Sequence, residues 1–472
     1  MTGPCRHRAA CRYGVVPGLL ALLLVVLSAC TAAPLASPGS GAGGGGQASR
    51  SAAPAIPLNE QPGDGAKEVL PTAPVSVSVE AGSLHDVVLT SSSGAKVSGI
   101  LSVSGSSWST SEVLGYGNTY TWSGTVTGPK GNSAPITGAF STLAPREITG
   151  ANLNIGDGDT VGIAAPIVLQ FFGKVTDKAT VEKALTVTTV PPTAGSWAWL
   201  PDSPQGARVH WRPQNYYAAG TQVNVAAKLY GLALGEGAYG KADLSSHFTV
   251  GRSQIVKADA ASHRLLVIRD GKTLFDFPVS YGKADLPRNI TRSGVHVVSE
   301  KLADVYMTNI PAGYQNVHER WAVRISNNGE FIHANPDTVG VQGSSNVSNG
   351  CINESLADAE KYFNSAIYGD PVEVTNTAIQ LSAADGDIYD WALPWSEWQA
   401  LSACTSRPVQ ARPTHARPAP SCATWRSWAH QKRHVAQLGP ARGAGGARLG
   451  WAGALCSCRE RRWNADRLPL RR

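Results

Sequence analysis

Cysteine is almost absent from the central part of this 472-residue chain. The eight cysteines stand at positions 5, 11, 30, 351, 404, 422, 456 and 458. Cys351 is therefore the only thiol between Cys30 and Cys404, and no disulfide can form within that stretch. An unpaired cysteine in a secreted protein suggests a reactive thiol. The scarcity of cysteine excludes a fold stabilised by disulfides in this part of the chain. It also makes Cys351 a candidate reactive residue.

Charged residues are also scarce, at 16% of the sequence, and methionine occurs only twice. With 42% apolar residues and abundant Gly, Ser, Thr and Val, this composition predicts a soluble, β-rich protein. Residues 403–472 hold 13 Arg and one Lys against two acids, a local charge of +12 in a chain of net charge +7. The first 402 residues therefore carry −5 and show no basic stripe with interleaved aromatics, so we expect no nucleic-acid binding.

A hydrophobic run long enough to span a membrane is missing from the start of the chain. Residues 15–27 are apolar but too few for a comfortable span, and Arg6, Arg8 and Arg12 precede them. The following Leu-Ser-Ala-Cys30 resembles the lipobox of bacterial lipoproteins. We predict a signal peptide at 1–30, acylation of Cys30, and anchoring to the outer face of the plasma membrane in the cell envelope. A plain secretory signal is the alternative.

The rest of the chain divides by composition. Residues 31–70 are rich in Gly, Pro and Ser and predict a flexible linker. Short alternating stretches between Gly/Ser turns predict one β-sandwich module at 71–146 and a second at 147–251. We expect Trp197, Trp199 and Trp211 to lie in a sandwich core rather than on a sugar-binding surface.

The third region, residues 252–378, predicts a mixed, mainly β sheet. Residues 264–269 and 272–279 flank Asp270-Gly271, which suits a tight hairpin turn, and residues 356–363 predict a short helix. A Trp-containing segment, 379–402, follows. The basic tail, 403–472, lacks any helix or strand periodicity. We interpret it as disordered or derived from a frameshift, with a genuine tail that grips anionic polymer as the alternative.

A histidine and the central cysteine stand in one motif, His333-x14-Ser-Asn-Gly-Cys351. A free thiol has a pKa of about 8.5 and needs a nearby base to form the nucleophilic thiolate. His333 can supply that base, and the amides of Gly350 and Cys351 can stabilise a developing oxyanion. Taken singly, a buried cysteine and a strand-end histidine are usually structural. Their joint spacing favours a catalytic pair.

This motif, continued by Ile352-Asn353, resembles the signature of the mycobacterial L,D-transpeptidases of the YkuD family, and its Ser-Asn-Gly-Cys variant resembles that of their lipoprotein paralogue. The resemblance covers residues 71–402. It implies a mainly β fold, with two immunoglobulin-like β-sandwich modules followed by a YkuD-type mixed β-sheet catalytic domain with short helices. It also implies a thioester acyl-enzyme that releases D-Ala from tetrapeptide stems and forms 3→3 diaminopimelate cross-links in peptidoglycan.

The resemblance assigns roles to single residues. Cys351 is the nucleophile and His333 the base, and the backbone carbonyl of Ala334 orients the imidazole. Substrate-contacting positions are Tyr314, Asn328, Gly329 and Asn353. The family's second histidine is replaced by Asn349, an orienting residue that can hydrogen-bond but cannot shuttle a proton.

Expected partners are peptidoglycan tetrapeptide stems, carbapenem-type β-lactams as inhibitors, and the membrane through the lipid anchor, and we expect a monomer. No cofactor is implied. A tight metal site is not expected either, because Ala233 replaces the Asp of a loop proposed to hold calcium in some relatives. Two other functions stay open: a thiol peptidoglycan hydrolase, and a non-catalytic peptidoglycan-binding lipoprotein in which Asn349 marks a dead site.

Overall fold

A computed structural model describes residues 56–405. This part of the chain is built almost entirely from β-strands arranged in three successive units, which confirms the predicted fold class. No helix within it is long and apolar enough to cross a membrane. The predicted signal peptide 1–30, the acylation site Cys30, the linker up to residue 55 and the tail from residue 406 lie outside the described residues.

The first unit is a β-sandwich. One sheet has the strand order β1-β2-β6-β5 and the other β4-β3-β7-β8, with β9 also paired to β7. Its nine strands are β1 (Leu58–Gln61), β2 (Ser76–Val79), β3 (Ser83–Ser91), β4 (Lys96–Val97), β5 (Gly99–Leu101), β6 (Ser107–Thr110), β7 (Thr119–Thr127), β8 (Ser133–Pro135) and β9 (Ala139–Ser141). Trp108 and Trp122 meet edge to face in the core between the sheets.

The linker prediction is wrong for residues 56–70. Strand β1 pairs antiparallel with β2, in the register Leu58 to Val79. Ile56, Leu58 and Val69 pack against the core of the first sandwich. The sequence did not indicate this strand, because these apolar residues are isolated among Gly, Pro and Glu residues and show no strand periodicity. They are partly buried only because the neighbouring sheet packs against them.

The second unit is a sandwich of sheets β11-β13-β16-β15 and β12-β20-β17-β14, with a small third sheet, β10-β19-β18. Its strands are β10 (Glu147–Thr149), β11 (Ala151–Leu153), β12 (Thr160–Val161), β13 (Ile167–Phe171), β14 (Leu185–Val190), β15 (Gly195–Ser203), β16 (Gly206–Pro213), β17 (Gln222–Ala227), β18 (Ala233–Gly235), β19 (Ala238–Gly240) and β20 (Leu244–Val250), with helix α1 (Lys178–Lys183) before β14. Trp197, Trp199 and Trp211 are buried in its core, as predicted.

The third unit has two sheets, β23-β22-β21-β29-β24 and β25-β26-β27-β28, with helix α2 packed against them. Its elements are β21 (Gln254–Asp259), β22 (Arg264–Arg269), β23 (Lys272–Pro278), β24 (Gly294–Val297), β25 (Glu300–Asn309), β26 (Tyr314–Arg324), β27 (Phe331–Ala334), β28 (Ile352–Glu354), α2 (Leu356–Ser365) and β29 (Pro371–Thr375), with 3-10 turns at Pro287–Asn289, Ile310–Ala312 and Pro336–Thr338. Asp270 and Gly271 both have positive φ, +49° and +77°, which confirms the predicted hairpin turn between β22 and β23.

The Trp-containing segment returns to the second sandwich. After 3-10 turns at Ala383–Asp385 and Asp390–Ala392, helix α3 (Trp395–Ala400) packs against β15. The indole of the fully buried Trp398 donates a hydrogen bond to the carbonyl of Ser196, 2.9 Å away. Beyond the helix, the Ala403 amide donates to Glu182 at 2.7 Å. The segment thus joins the third unit to the second sandwich.

Candidate active site

The turn that presents Cys351 is held by Ser348. The Ser348 hydroxyl donates to the Cys351 carbonyl at 2.6 Å and accepts from the Gly350 amide at 3.1 Å. Gly350 has φ +122°, a conformation that only glycine adopts without strain. The Ser-x-Gly-Cys pattern is therefore a local structural requirement as well as a chemical signature.

His333 lies on β27, beside the strand that follows the cysteine. Strands β27 and β28 are parallel, with His333 opposite Asn353. The His333 side chain is buried, and its Nδ1 lies 2.9 Å from the carbonyl oxygen of Ala334. Since a carbonyl can only accept, Nδ1 carries a proton and Nε2 is left for the sulfur. The structure thus places Ala334 where the resemblance implied.

The Cys351 sulfur and His333 are brought together. Both line one cavity of about 220 Å³, and the interaction between them is one cause of the raised pKa of His333. The thiol also donates to the carbonyl of Gly329, 3.6 Å away. Cys351 is free of any disulfide and partly accessible. The arrangement can therefore pass a proton between the sulfur and the ring.

The environment of His333 favours its protonated form. Burial alone lowers the pKa of an imidazole, but the hydrogen bond to Cys351 and the nearby carboxylate of Glu319 outweigh it and raise the pKa of His333 to about 10. Glu319 Oε2 lies 3.3 Å from Nδ1. A thiolate–imidazolium pair is the form of a Cys–His site that attacks carbonyl carbons.

Two predicted residues stand at the junction of two cavities. Tyr314 and Asn349 line the cavity of His333 and also a second one, of about 480 Å³, that reaches Cys351 from the other side. Burial, and next the charge of Cys351, raise the pKa of Tyr314, so its hydroxyl stays protonated at neutral pH. The Asn349 side chain is exposed at the rim.

The other residues predicted to contact the substrate differ in whether their polar atoms already have hydrogen-bond partners. Asn353 lines the His333 cavity, and its buried Oδ1 has no hydrogen-bond partner among the described residues. Asn328 lines the second cavity, but its amide already donates to Asp385 at 3.2 Å and accepts from the amide of Glu330 at 3.1 Å. Gly329 offers its carbonyl to the thiol.

The structure distinguishes the two amides expected to stabilise the oxyanion. The Gly350 amide is already used by Ser348, so in this conformation it cannot point at a substrate oxygen. Within residues 56–405 nothing accepts a hydrogen bond from the Cys351 amide, which remains available for that role. The motif alone could not separate these amides, because their directions depend on the φ of Gly350.

Two residues were missed at the sequence level. Ser348 belongs to the motif, and its position three residues before Cys351 was the signal that could have indicated a turn-holding role. Glu319 has no such signal, because it stands in the polar run Asn316-Val-His-Glu-Arg320. As for metals, residues 56–405 contain no group of three or more His, Cys, Asp or Glu side chains that could hold an ion.

Comparisons with known proteins identify the family to which the chain is similar. The family described as "L,D-transpeptidase catalytic domain" matches residues 253–374, and the family described as "Bacterial Ig domain" matches residues 66–233. L,D-transpeptidase 5 of Mycobacterium tuberculosis (strain ATCC 25618 / H37Rv) is 56% identical over 360 residues, which cover 76% of this chain and 79% of that protein.

L,D-transpeptidase 2 of Mycobacterium tuberculosis (strain CDC 1551 / Oshkosh) is 37% identical over 349 residues, covering 72% of this chain and 83% of the relative. A solved structure of the LD transpeptidase LdtMt1 in complex with imipenem is 30% identical and covers 48% of this chain and 100% of its own, with a TM-score of 0.41. From the extent and identity of the two sequence matches, the chain belongs to the L,D-transpeptidase family of the YkuD type.

Proposed function

We propose that this protein forms peptidoglycan cross-links through a thioester on Cys351, with His333 as the group that moves the protons. One observation carries the proposal. A buried histidine, fixed at Nδ1 by the Ala334 carbonyl, shares a cavity with a free thiol, and its interaction with that thiol helps to raise the pKa of the imidazole. Orientation of an imidazole by an acceptor at its far nitrogen is what a Cys–His site requires.

In the first half-reaction the thiolate attacks the carbonyl carbon that links the L-centre of diaminopimelate to the terminal D-Ala of a tetrapeptide stem. A carbon–sulfur bond forms, the carbon–nitrogen bond breaks, and the His333 imidazolium gives its proton to the departing amine of D-Ala. The oxyanion that develops meets the Cys351 amide and the Tyr314 hydroxyl, and a single donor of this kind is worth about 10²–10³ in rate.

In the second half-reaction the side-chain amine of a diaminopimelate in a neighbouring stem attacks the thioester. His333, now neutral, accepts a proton from that amine as the new carbon–nitrogen bond forms. The carbon–sulfur bond breaks and the thiolate–imidazolium pair is restored. The net result is one 3→3 cross-link and one released D-Ala, with no oxidant, metal or cofactor required.

Carbapenem-type β-lactams offer the same kind of strained, electrophilic carbonyl, and a solved relative is a complex with imipenem. We infer that imipenem acylates Cys351 in this chain. Mass spectrometry of the purified protein with imipenem should show one added acyl group. Cys351→Ala should abolish it, and Cys404→Ala, which removes an exposed free thiol, should leave it unchanged.

The cross-linking activity itself is tested with disaccharide-tetrapeptide stems. The protein should produce the 3→3 dimer and an equal amount of free D-Ala, and Cys351→Ala should produce neither. D-Ala release without dimer would instead identify a hydrolase. Binding to peptidoglycan with no release would identify a non-catalytic wall-binding protein.

We further propose export, acylation at Cys30 and anchoring to the outer face of the plasma membrane, as well as a monomeric state. The arginines, the apolar run and the Leu-Ser-Ala-Cys30 sequence support the anchor. Labelling cells with a fatty acid should mark the wild-type protein but not Cys30→Ala, which should move from the membrane to the soluble fraction. Light scattering of the purified protein should give the mass of one chain.

A further inference from the structure

Glu319 is a carboxylate next to the catalytic pair to which neither the motif nor the comparisons give a role. We propose that Glu319 is a positioning residue that stabilises the imidazolium form of His333, so that this site works with a Cys–His–Glu arrangement. The proposal rests on the proposed function of Cys351 and His333. Glu319 acts through His333 and is not itself a proton carrier.

The contact is specific. Glu319 Oε2 lies 3.3 Å from Nδ1 of His333, and the two side chains are only 12% and 4% exposed. The Glu319 side chain has no other hydrogen bond or ion pair within residues 56–405. A mostly buried carboxylate is costly unless its partner carries a positive charge. The single partner of Glu319 is therefore expected to be charged.

Strand β26 explains why Glu319 faces the catalytic pair. Neighbours on a strand point to opposite faces, so Glu319 turns towards His333 while His318 and Arg320 turn away. His318 and Arg320 both contact Asp304 of β25, at 2.9 and 3.4 Å. Each face of the hairpin thus has its own carboxylate, one directed at the active site and the other at the outer surface.

Other titratable groups around His333 do not replace this charge. Cys351 lies on the turn before β28, and Tyr314 lies on β26. Glu354 on β28 is fully buried, and burial disfavours its charged form by raising its pKa well above the usual range. Tyr314 is neutral at neutral pH, because burial raises its pKa. Among residues 56–405, Glu319 is the carboxylate that lies within 4 Å of a ring nitrogen of His333.

The asparagine at position 349 makes the contact between Glu319 and His333 more important for the proposed mechanism. The family motif usually has a second histidine there, whereas Asn349 cannot accept a proton and hold a charge. His333 is then the one imidazole of the motif that serves both half-reactions. A carboxylate beside Nδ1 favours the protonated ring before attack on the donor and keeps the ring oriented while it is neutral.

The test compares Glu319→Gln with Asp304→Asn in the purified full chain. Both variants remove one negative charge from the same hairpin and keep the shape of the side chain, but on opposite faces. Acylation by imipenem is followed by mass spectrometry across pH, and thiolate formation by its ultraviolet absorbance. In Glu319→Gln we expect the alkaline limb to move towards neutral pH by about one unit or more, with less thiolate at neutral pH.

Asp304→Asn should keep the wild-type pH profile, and Glu319→Asp, which restores the charge, should recover most of it. An unchanged profile in Glu319→Gln would overturn the proposal. Carbon-13 NMR of the wild-type carboxylates gives a readout that needs no variant: the Glu319 signal should shift as His333 loses its proton near pH 10, and an insensitive signal also overturns the proposal. If wild type is not acylated at all, the proposed function fails instead.

Discussion

The guanidinium carbon of Arg212 lies 4.8 Å from the centre of the Trp398 ring. The rings of Trp391 and Trp395 surround the same group, at 4.6 and 5.2 Å. Arg212 belongs to strand β16 of the second sandwich, whereas the three indoles belong to the C-terminal segment. Burial lowers the pKa of Arg212 to about 10, which still leaves it charged at neutral pH. The contacts of the Arg212 cation with these three rings therefore stabilise the packing of the C-terminal segment against the second sandwich.

Replacing the buried member of this cluster should weaken the junction. Trp398→Ala removes a fully buried ring and its hydrogen bond to Ser196, so we expect the free energy of unfolding to fall by about 3–5 kcal/mol in urea denaturation. Gln399→Ala, an exposed position on the same helix, should cost much less. Equal losses in the two variants would contradict the role of the ring.

Much of the strand pattern could be predicted from the sequence. Strand β22 has its predicted bounds, 264–269, and β23 ends one residue before the predicted 279, because their apolar residues flank the clear turn signal Asp270-Gly271. The hairpin of β25 and β26 was mostly missed. The side chains of β25 are largely exposed or half-buried. Without a buried face, no two-residue period marks such strands.

The turn before the nucleophile gives a second prediction. Ser348→Ala deletes the hydroxyl that accepts from Gly350 and donates to the Cys351 carbonyl. Because a lost buried hydrogen bond costs about 1–3 kcal/mol, we expect the rate of acylation by imipenem to fall about tenfold or more at saturating ligand. The measurement is single-turnover mass spectrometry, with Ser345→Ala in the same loop as control. A rate unchanged from wild type would show that the turn holds without Ser348.

The site residues that belong to a single sequence motif could be predicted. His333, Cys351 and Ala334 lie together because one motif carries all three and the parallel pairing of β27 with β28 closes the gap between them. Glu319 could not be predicted, because its role depends on which face of β26 turns inward. The hydrogen bond of the Gly350 amide to Ser348 could not be predicted for a similar reason, since the direction of the amide follows from one backbone torsion.

Stability should depend on pH through His333. Its pKa is about 10 in the folded protein, against a usual value near 6.5. A raised pKa means that the folded state binds the proton more tightly, so this contribution is complete below about pH 6.5 and is lost as pH rises through about 10. The free energy of unfolding of wild type should therefore decline over that range.

The difference between wild type and His333→Gln isolates the contribution of His333 together with its coupled partner Cys351, because groups that titrate independently of this pair cancel in the comparison. Urea denaturation at a series of pH values measures it. The difference should shrink as pH rises from neutral to about 10. A difference that is constant with pH would mean that His333 is not protonated in the folded state.

Tyr314 should supply part of the oxyanion stabilisation. This residue lines both cavities beside Cys351, and burial keeps its hydroxyl protonated by raising its pKa. Since the Gly350 amide is taken by Ser348, the Cys351 amide has few other partners in this task. Tyr314→Phe removes only the hydroxyl, so we expect acylation to slow by about 10²-fold or more while imipenem affinity before acylation changes little. Stopped-flow quenching of protein fluorescence separates the two.

The matched control is Tyr306→Phe on the same hairpin. Tyr306 is 63% exposed and stacks on His318, on the face that also carries Asp304. Loss of its hydroxyl should leave acylation near the wild-type rate. Equal slowing in both variants would indicate a general loosening of the hairpin, and weaker initial binding with unchanged chemistry in Tyr314→Phe would indicate a binding contact. A selective loss of the chemical step in Tyr314→Phe follows only if its hydroxyl meets the charge that develops on the substrate oxygen.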